Sequence, residues 1–418
     1  MKLFPDHGST RAEMEAALDA ASIDHHALRA GPASFSLEVD EHLQGVILHA
    51  FERFLTHNAV FGESLPSLAA MERELIGMAL EIVQGAPDAT GFVTLGGSES
   101  IFTALHGARS RANERGTAET PFQVIAPTTI HPAFTKACHY LGLELVTVPP
   151  GDDLRADLPA MAAAITPATI AICGSAPQWP HHRFDDIVGL AALAQQHELW
   201  MHVDACVGGY LAPFVRAAGW PIPDFDFTVP GVCSMSADLH KWGYAAKPAS
   251  TVLFADQELA GYAACPPIPW DCGIYATPSA AGSRPGASIA AAWAVLRYLG
   301  RDGFVDLARH TMQVRDRLVA GIDAIDGLQC RPTDLAMVIY GAAPFESGGA
   351  PDTMAVGDAM EARGWLVMRL IAPTPQLQLL VDRLSDDFVD AFLADLAACV
   401  GDVSAGLVVA AAARNGAY

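Results

Sequence analysis

The stretch from Ser234 to Ser250 reads SMSADLHKWGYAAKPAS, with Lys241 directly after His240 and shortly before Gly243. A lysine that follows hydroxyls, an acid and a histidine has a specific chemical use. Its amine can hold an aldehyde cofactor as a Schiff base when desolvation or cationic neighbours depress its pKa, and pyridoxal phosphate (PLP) is held in this way. His240, Ser234 and Ser236 could then hydrogen-bond the cofactor's phosphate. The same residues also suit a surface lysine after a strand, so the neighbouring stretches decide.

Two of them lie upstream. WMHVDACVGGY, Trp200 to Tyr210, reads as an apolar strand ending in Asp204, with a glycine pair soon after. PLP needs such an acid against its pyridine nitrogen, because a protonated ring withdraws the electrons of a breaking bond. GFVTLGGSESIFTALHGAR, Gly91 to Arg109, reads as a strand, a glycine turn and a helix with Ile101, Leu105 and Ala108 on one face. Gly96, Gly97 and Ser98 would bring backbone N–H groups and a helix N-terminus onto a phosphate. Glycine turn, acid at a strand end and lysine, in that order, point to one PLP site.

The runs GGSESI, HPAFTKACHYLGLELVTVP, GSAPQWPHHRFDDIVGLAALAQQHELWMHVDACVGGYL, SADLHKWGYAAKPAS and GIYATPSAAGSRPGASIAAAWAVLRYLG carry a resemblance from about Leu65 to Leu299. The chain resembles PLP-dependent lyases of fold type I, in the group that contains amino-acid decarboxylases, and among these the sphingosine-1-phosphate lyases. The resemblance implies an α/β fold: a large domain with a mostly parallel sheet and a small C-terminal α+β domain. It implies that His131, in the TTIHPAF turn, stacks on the pyridine ring and assists proton transfer. Lys247 matches the second lysine of the family's HKYGYxxKG motif, near cofactor and substrate, although Pro248 replaces the glycine. The loop GIYATPSAAGSRPG, with Tyr275, Thr277, Ser283 and Arg284, would cross into a second subunit's site, which implies an obligate homodimer with shared active sites. Thr277 and Ser283 are its candidate cofactor ligands. Arg284 reads either as an anchor for an anionic group or as half of a structural ion pair. His202, two residues before Asp204 on a strand, points to the same side as that acid. It either orients the carboxylate or is a satisfied core histidine.

Composition bounds the alternatives. With 418 residues, 51% hydrophobic and 17% charged, the chain can bury a large core in more than one lobe. A formal net charge of -22 argues against nucleic acid and against anionic membrane surfaces. Eight cysteines without a CxxC pair read as reduced thiols, and the paired histidines His25–His26 and His181–His182 lack a second arm, so no metal is expected. The N-terminal MKLFPDHGSTRAEMEAAL lacks the apolar core of a signal peptide, and no run reaches the ~20 apolar residues of a membrane span. A cytoplasmic enzyme is expected.

Along the chain, residues 1–60 read as an N-terminal helical segment, 61–290 as the PLP-binding domain and 291–418 as the small domain. A helix is expected from near Arg11, capped by Ser9 or Thr10, another over Leu43–Phe54, and a third opening at Pro66. Short apolar runs at Gln123, Leu143, Ala168, Leu199, Asp226 and Ser250, several separated by helical segments, predict the parallel sheet. MVIYGA and GWLVMRL read as strands of the small domain and FVDAFLADLAACV as its covering helix.

Two reactions suit a small-molecule amine or amino-acid substrate at such a site. A lyase would cleave a 2-amino alcohol or β-hydroxy amino compound by retro-aldol chemistry, with Lys241, Lys247 or His131 taking or relaying the hydroxyl proton. A decarboxylase would need no such base. The family's NPLHPDxFPS and SGAVY motifs are here NAVFGESLPS, with Phe61 in place of the histidine, and PASFS, Pro32 to Ser36, without a tyrosine. These departures imply a substrate other than a long-chain base phosphate.

Overall fold

The computed structural model describes residues 7–21, 37, 39–61, 64–116 and 119–408, Phe61 by its backbone alone. Three helices come first: α1 (Arg11–Ala21), α2 (Glu41–Arg53) and α3 (Pro66–Ile82). Thr10 and Glu13 form a reciprocal cap on α1, each accepting the other's backbone N–H. Strands and helices then alternate as β1 (Thr90–Thr94), α4 (Gly97–Arg115), β2 (Gln123–Pro127), α5 (Ala133–Leu141), β3 (Glu144–Val148) and α6 (Leu158–Ala163). β4 (Thr169–Ser175), α7 (Ile187–Gln196), β5 (Trp200–Asp204), α8 (Ala212–Ala217), β6 (Val232–Ala237), β7 (Ser250–Phe254) and α9 (Gln257–Ala263) complete the run. Aspartates begin many helices: Asp40, Asp157, Asp186 and Asp256 each accept a backbone N–H of α2, α6, α7 and α9.

Seven strands form one sheet in the order β1-β7-β6-β5-β4-β2-β3. Neighbours from β6 to β3 pair in parallel, whereas β7 runs antiparallel to both β6 and β1. Every residue of β4, β5, β6 and β7 is buried, as expected where helices cover both faces. The strand expected from Asp226 begins only at Val232. Asp226 instead accepts from the N–H and Oγ of Thr228, and Gly231 takes φ +95°, so the first half of that run is a turn.

A two-stranded hairpin, β8 (Ile268–Trp270) and β9 (Gly273–Tyr275), precedes α10 (Gly286–Asp323), a long helix interrupted where Gly300 takes the left-handed φ of +56°. The remaining elements are β10 (Leu328–Arg331), β11 (Met337–Ala342), α11 (Thr353–Ala362), β12 (Met368–Leu370), β13 (Gln376–Leu380) and α12 (Asp386–Ser404). GWLVMRL yields only the three residues of β12. Gly364 turns at φ +88°, and Trp365 packs edge-on against Phe388 and Phe392 while donating to Asp395 Oδ2 at 2.8 Å.

The chain divides into two compact units. The larger, Phe35–Gln313 with Pro332–Met337, holds the seven-stranded sheet. The other, Met1–Ser34 with Val314–Arg331 and Val338–Tyr418, holds most of a four-stranded sheet in the order β10-β11-β13-β12. The division falls inside α10, between Gln313 and Val314. The fold is the α/β architecture anticipated, with its small C-terminal sheet domain. Among the described residues no helix is long and apolar enough to cross a membrane, and no group of three or more His, Cys, Asp and Glu side chains could hold a metal.

Candidate active site

On β5 the two-residue period sends Trp200, His202 and Asp204 to one face. β6 runs beside it in register, with His202 opposite Ser234 and Asp204 opposite Ser236. Ser236 Oγ donates to Asp204 Oδ1 at 3.2 Å, and the Cys206 N–H donates to the same oxygen at 3.1 Å. His202 Nδ1 lies 2.8 Å from Ser234 Oγ, and burial pushes this imidazole down to about 4 against the opposing pull of Asp204. Ser234 and Ser236 were expected to meet a phosphate. Instead, both hydroxyls are fully buried and engaged with His202 and Asp204, so they support the acid rather than serve as phosphate ligands.

The chain leaves β6 in a tight turn that presents Lys241. A Cβ added at Gly243 would lie 2.5 Å from the Leu239 carbonyl oxygen, which explains the glycine. Lys241 Nζ sits 3.0 Å from Asp238 Oδ2, and His240 Nε2 is 3.8 Å from the same oxygen. Burial disfavours charge on Lys241, yet the Asp238 carboxylate outweighs it and holds the ammonium above the ordinary lysine range. The sequence suggested the opposite, a lysine depressed by its surroundings. Asp238 is the acid of the quoted stretch, to which the sequence alone assigns no role of its own.

The glycine turn closes on this pair. A Cβ at Gly97, the first residue of α4, would lie 2.5 Å from Cys206 Sγ and 3.1 Å from Asp238 Oδ2. The three stretches quoted above thus meet at one point. No side chain caps α4, whose N-cap is Gly96, and Ser98 is exposed in its first turn. His240 accepts the Ala249 N–H at Nδ1, 3.1 Å, which leaves its proton on Nε2.

His131 precedes α5 and accepts the Ala133 N–H at Nδ1, 3.1 Å. Burial lowers its pKa; Asp204 and Asp238 oppose that shift and Lys241 reinforces it, so the ring belongs to the same electrostatic cluster. Lys247 is held below the usual lysine value by burial and by the charge of Lys241. A cavity of about 300 Å³ opens here, with Leu37, Val39, Ile47, His240, Lys241 and Lys247 in its lining.

The later loop behaves differently. Ser283 Oγ accepts from Asn58 at 2.8 Å, and Thr277 is buried. The loop does reach the glycine turn, because Ala281 N–H donates to Glu99 Oε1 at 2.9 Å. Arg284 is buried and ion-paired with Glu72, so of its two readings the structural one holds. The side chain of Phe61 and the segment 32–36 lie outside the described residues.

The family profile described as "Pyridoxal-dependent decarboxylase conserved domain" matches residues 52–328, about two thirds of the chain. The chain belongs to the pyridoxal-dependent decarboxylase family. It is 35% identical to sphingosine-1-phosphate lyase 1 of Rattus norvegicus over 87% of its own length, and 38% identical to sphingosine-1-phosphate lyase of Dictyostelium discoideum over 78%. It spans only 63% and 60% of those two curated relatives. The solved sphingosine-1-phosphate lyase of Burkholderia pseudomallei superposes with a TM-score of 0.90 at 30% identity, covering 97% of this chain and 94% of that one. The family's cofactor is pyridoxal 5'-phosphate, and the residues present fit it. Gly97 lets the start of α4 approach Cys206 and Asp238 more closely than a side chain would allow, and Asp238 Oδ1 is buried without a hydrogen-bond partner. A buried carboxylate, a largely buried amine and an uncapped helix N-terminus in one cluster are the kinds of group that this cofactor's ring, aldehyde and phosphate would call for.

Proposed function

We propose that the chain is a PLP-dependent carbon–carbon lyase that cleaves a 2-amino alcohol or β-hydroxy amino compound to an aldehyde and an amine. The convergence of Lys241, Asp238, Asp204, His131 and the α4 N-terminus carries this reading, together with the likeness to the sphingosine-1-phosphate lyases. Lys241 would hold the cofactor covalently, Asp204 would pair with its ring nitrogen, and His131 would lie against the ring. Gly97, Ser98 and His240 would receive the phosphate. His202 and Ser236 stand behind Asp204, and Thr277 and Ser283 would act from the loop that the family carries into a second subunit. When bound, the cofactor supplies an electron-withdrawing ring that takes up the electrons of a bond broken at the substrate carbon bearing the amine.

The remaining task is removal of the hydroxyl proton. Neutral His131 has its Nδ1 occupied by the Ala133 N–H, so its proton sits on Nε2 and it is a donor there. Lys247, held below the ordinary lysine value, is the better base. A lining that combines Leu37, Val39 and Ile47 with two lysines suits a substrate with a hydrocarbon portion and an anionic or hydroxyl end.

The hairpin β8–β9 supports a homodimer: Ile268, Trp270, Ile274 and Tyr275 are all exposed on it. Trp270→Glu is expected to shift the protein from dimer to monomer in sedimentation equilibrium, and an unshifted mass would sink the interface. A second reading, amino-acid decarboxylation, is favoured by the family profile. One assay separates the two. Incubation with free and phosphorylated amino alcohols and with amino acids is expected to release aldehyde without carbon dioxide, whereas carbon dioxide from an amino acid would overturn the lyase reading in favour of the decarboxylase.

A further inference from the structure

The hydrogen bonds behind Asp204 have only one self-consistent direction. A carboxylate accepts, so the single proton of Ser236 goes to Asp204 Oδ1 at 3.2 Å. Ser236 Oγ then has only lone pairs left for His202 Nε2, 3.4 Å away, which must be the donor there. Because burial keeps this imidazole neutral, its other nitrogen carries a lone pair. Nδ1 therefore accepts from Ser234 Oγ at 2.8 Å. With its proton spent on His202, Ser234 can only accept at its remaining contact, and the partner is Trp200 Nε1–H at 2.8 Å, a group that can only donate. The reverse tautomer would leave the Ser234 proton without one of these partners and set the His202 Nε2 lone pair against Ser236, whose one proton could not serve both it and Asp204.

We propose that Trp200, Ser234, His202 and Ser236 form a one-way hydrogen-bond chain that fixes the His202 proton on Nε2 and ends on Asp204. Trp200 and Ser234 are thereby positioning residues for that carboxylate. The chain uses only buried groups: all four members are fully buried. Dipoles aligned in this way polarise one another in a low-dielectric interior, and each adds to the donor strength of the last. The far end is anchored as well, because the Arg111 guanidinium lies over the Trp200 ring with its carbon 5.1 Å from the ring centre. Asp204 is thus held from behind, independently of whatever lies in front of it. The consequence for the cofactor rests on the reading of Asp204 as the partner of its ring nitrogen; the tautomer does not.

Two measurements on the full-length protein test this. The first uses 15N-histidine-labelled protein, with the His202 signals identified by their loss in His202→Gln. An unprotonated Nδ1 and a protonated Nε2, unchanged from pH 5 to 8, are expected. The opposite tautomer, an even mixture, or protonation within that range would overturn the proposal. In Ser234→Ala the preference is expected to collapse toward a mixture, and Ser234→Thr is expected to restore it. An unaltered pattern in Ser234→Ala would overturn the chain. Should that variant fail to fold, Trp200→Phe keeps most of the ring, and a clear move of the His202 Nδ1 signal is expected there. The second measurement is PLP titration followed by visible absorbance. Ser234→Ala is expected to raise the half-saturating concentration about tenfold, the loss of roughly one buried neutral hydrogen bond. Failure of wild-type protein to take up PLP would defeat the cofactor reading and leave the ring-nitrogen result to decide the chain.

Discussion

At Lys241 two effects of opposite sign meet. Burial favours the neutral amine, and the carboxylate of Asp238 at 3.0 Å favours the ammonium, with the second prevailing. Replacing Asp238 by Asn, which keeps the shape, removes the largest effect that raises the lysine, ahead of Cys206 and Asp204. The pH midpoint for PLP uptake, followed by absorbance, is expected to fall by about one unit or more. An unmoved midpoint would mean that the acid is only a turn residue. Lys241→Ala is expected to abolish borohydride-trappable PLP and to reduce turnover by about 10³-fold or more. Retention of trapped cofactor in that variant would remove Lys241 from the site. Lys241 and Asp204 stand out in the sequence because a lysine after a glycine turn upstream and an acid at a strand end have few other uses in that order. Asp238 was hidden by its place in a turn, and the serines of β6 were misjudged because strand register, not spacing, decides whom they face.

Elements show the same division between what pattern specifies and what packing specifies. The glycine turn before α4 could be read as a phosphate seat, but only the fold reveals that Gly97 also approaches Cys206 and Asp238. Gly97→Ala would drive a methyl group to 2.5 Å from Cys206 Sγ, so α4 must shift. Overpacking of this kind costs about 1–3 kcal/mol. A lower melting temperature together with weakened PLP retention is expected, and a variant that kept both would show that the contact is soft. Most strands of the large sheet were legible as short apolar runs because both faces of the sheet are covered. β8 and β9 were not, since a fully exposed hairpin carries no such burial signal. The segment from Asp226 misled for a different reason: an apolar run says nothing about a carboxylate that caps its own backbone.

For the whole molecule, buried titratable groups set the response to acid. His182, fully buried between the rings of Trp179 and Trp242, is pushed by burial and by Lys241 down to about 3, and His202 to about 4. The unfolded chain binds these protons near pH 6.5 while the native state refuses them, so stability falls as pH drops from about 6.5 toward 4. Asp185 works in the other direction. Burial raises it to about 6, so the native state keeps a proton that the unfolded chain releases, and stability rises as pH drops through 6 toward 4. Two groups oppose one, and the melting temperature is expected to be lower at pH 5 than at pH 7. His182→Asn, which tolerates the left-handed φ of +52° at that position, should flatten the difference; an equally steep variant would place the acid sensitivity elsewhere. The order of strands in the sheet has a last consequence, and it concerns time. Among the described residues β1 pairs only with β7, with Thr90 opposite Phe254 and Thr94 opposite Ser250. During synthesis at about 5–20 residues per second, the glycine turn leaves the ribosome roughly 8–30 s before the strand that fixes it. The strand that carries the glycine turn therefore waits for β7, which follows Lys241 in the chain, before it can pair.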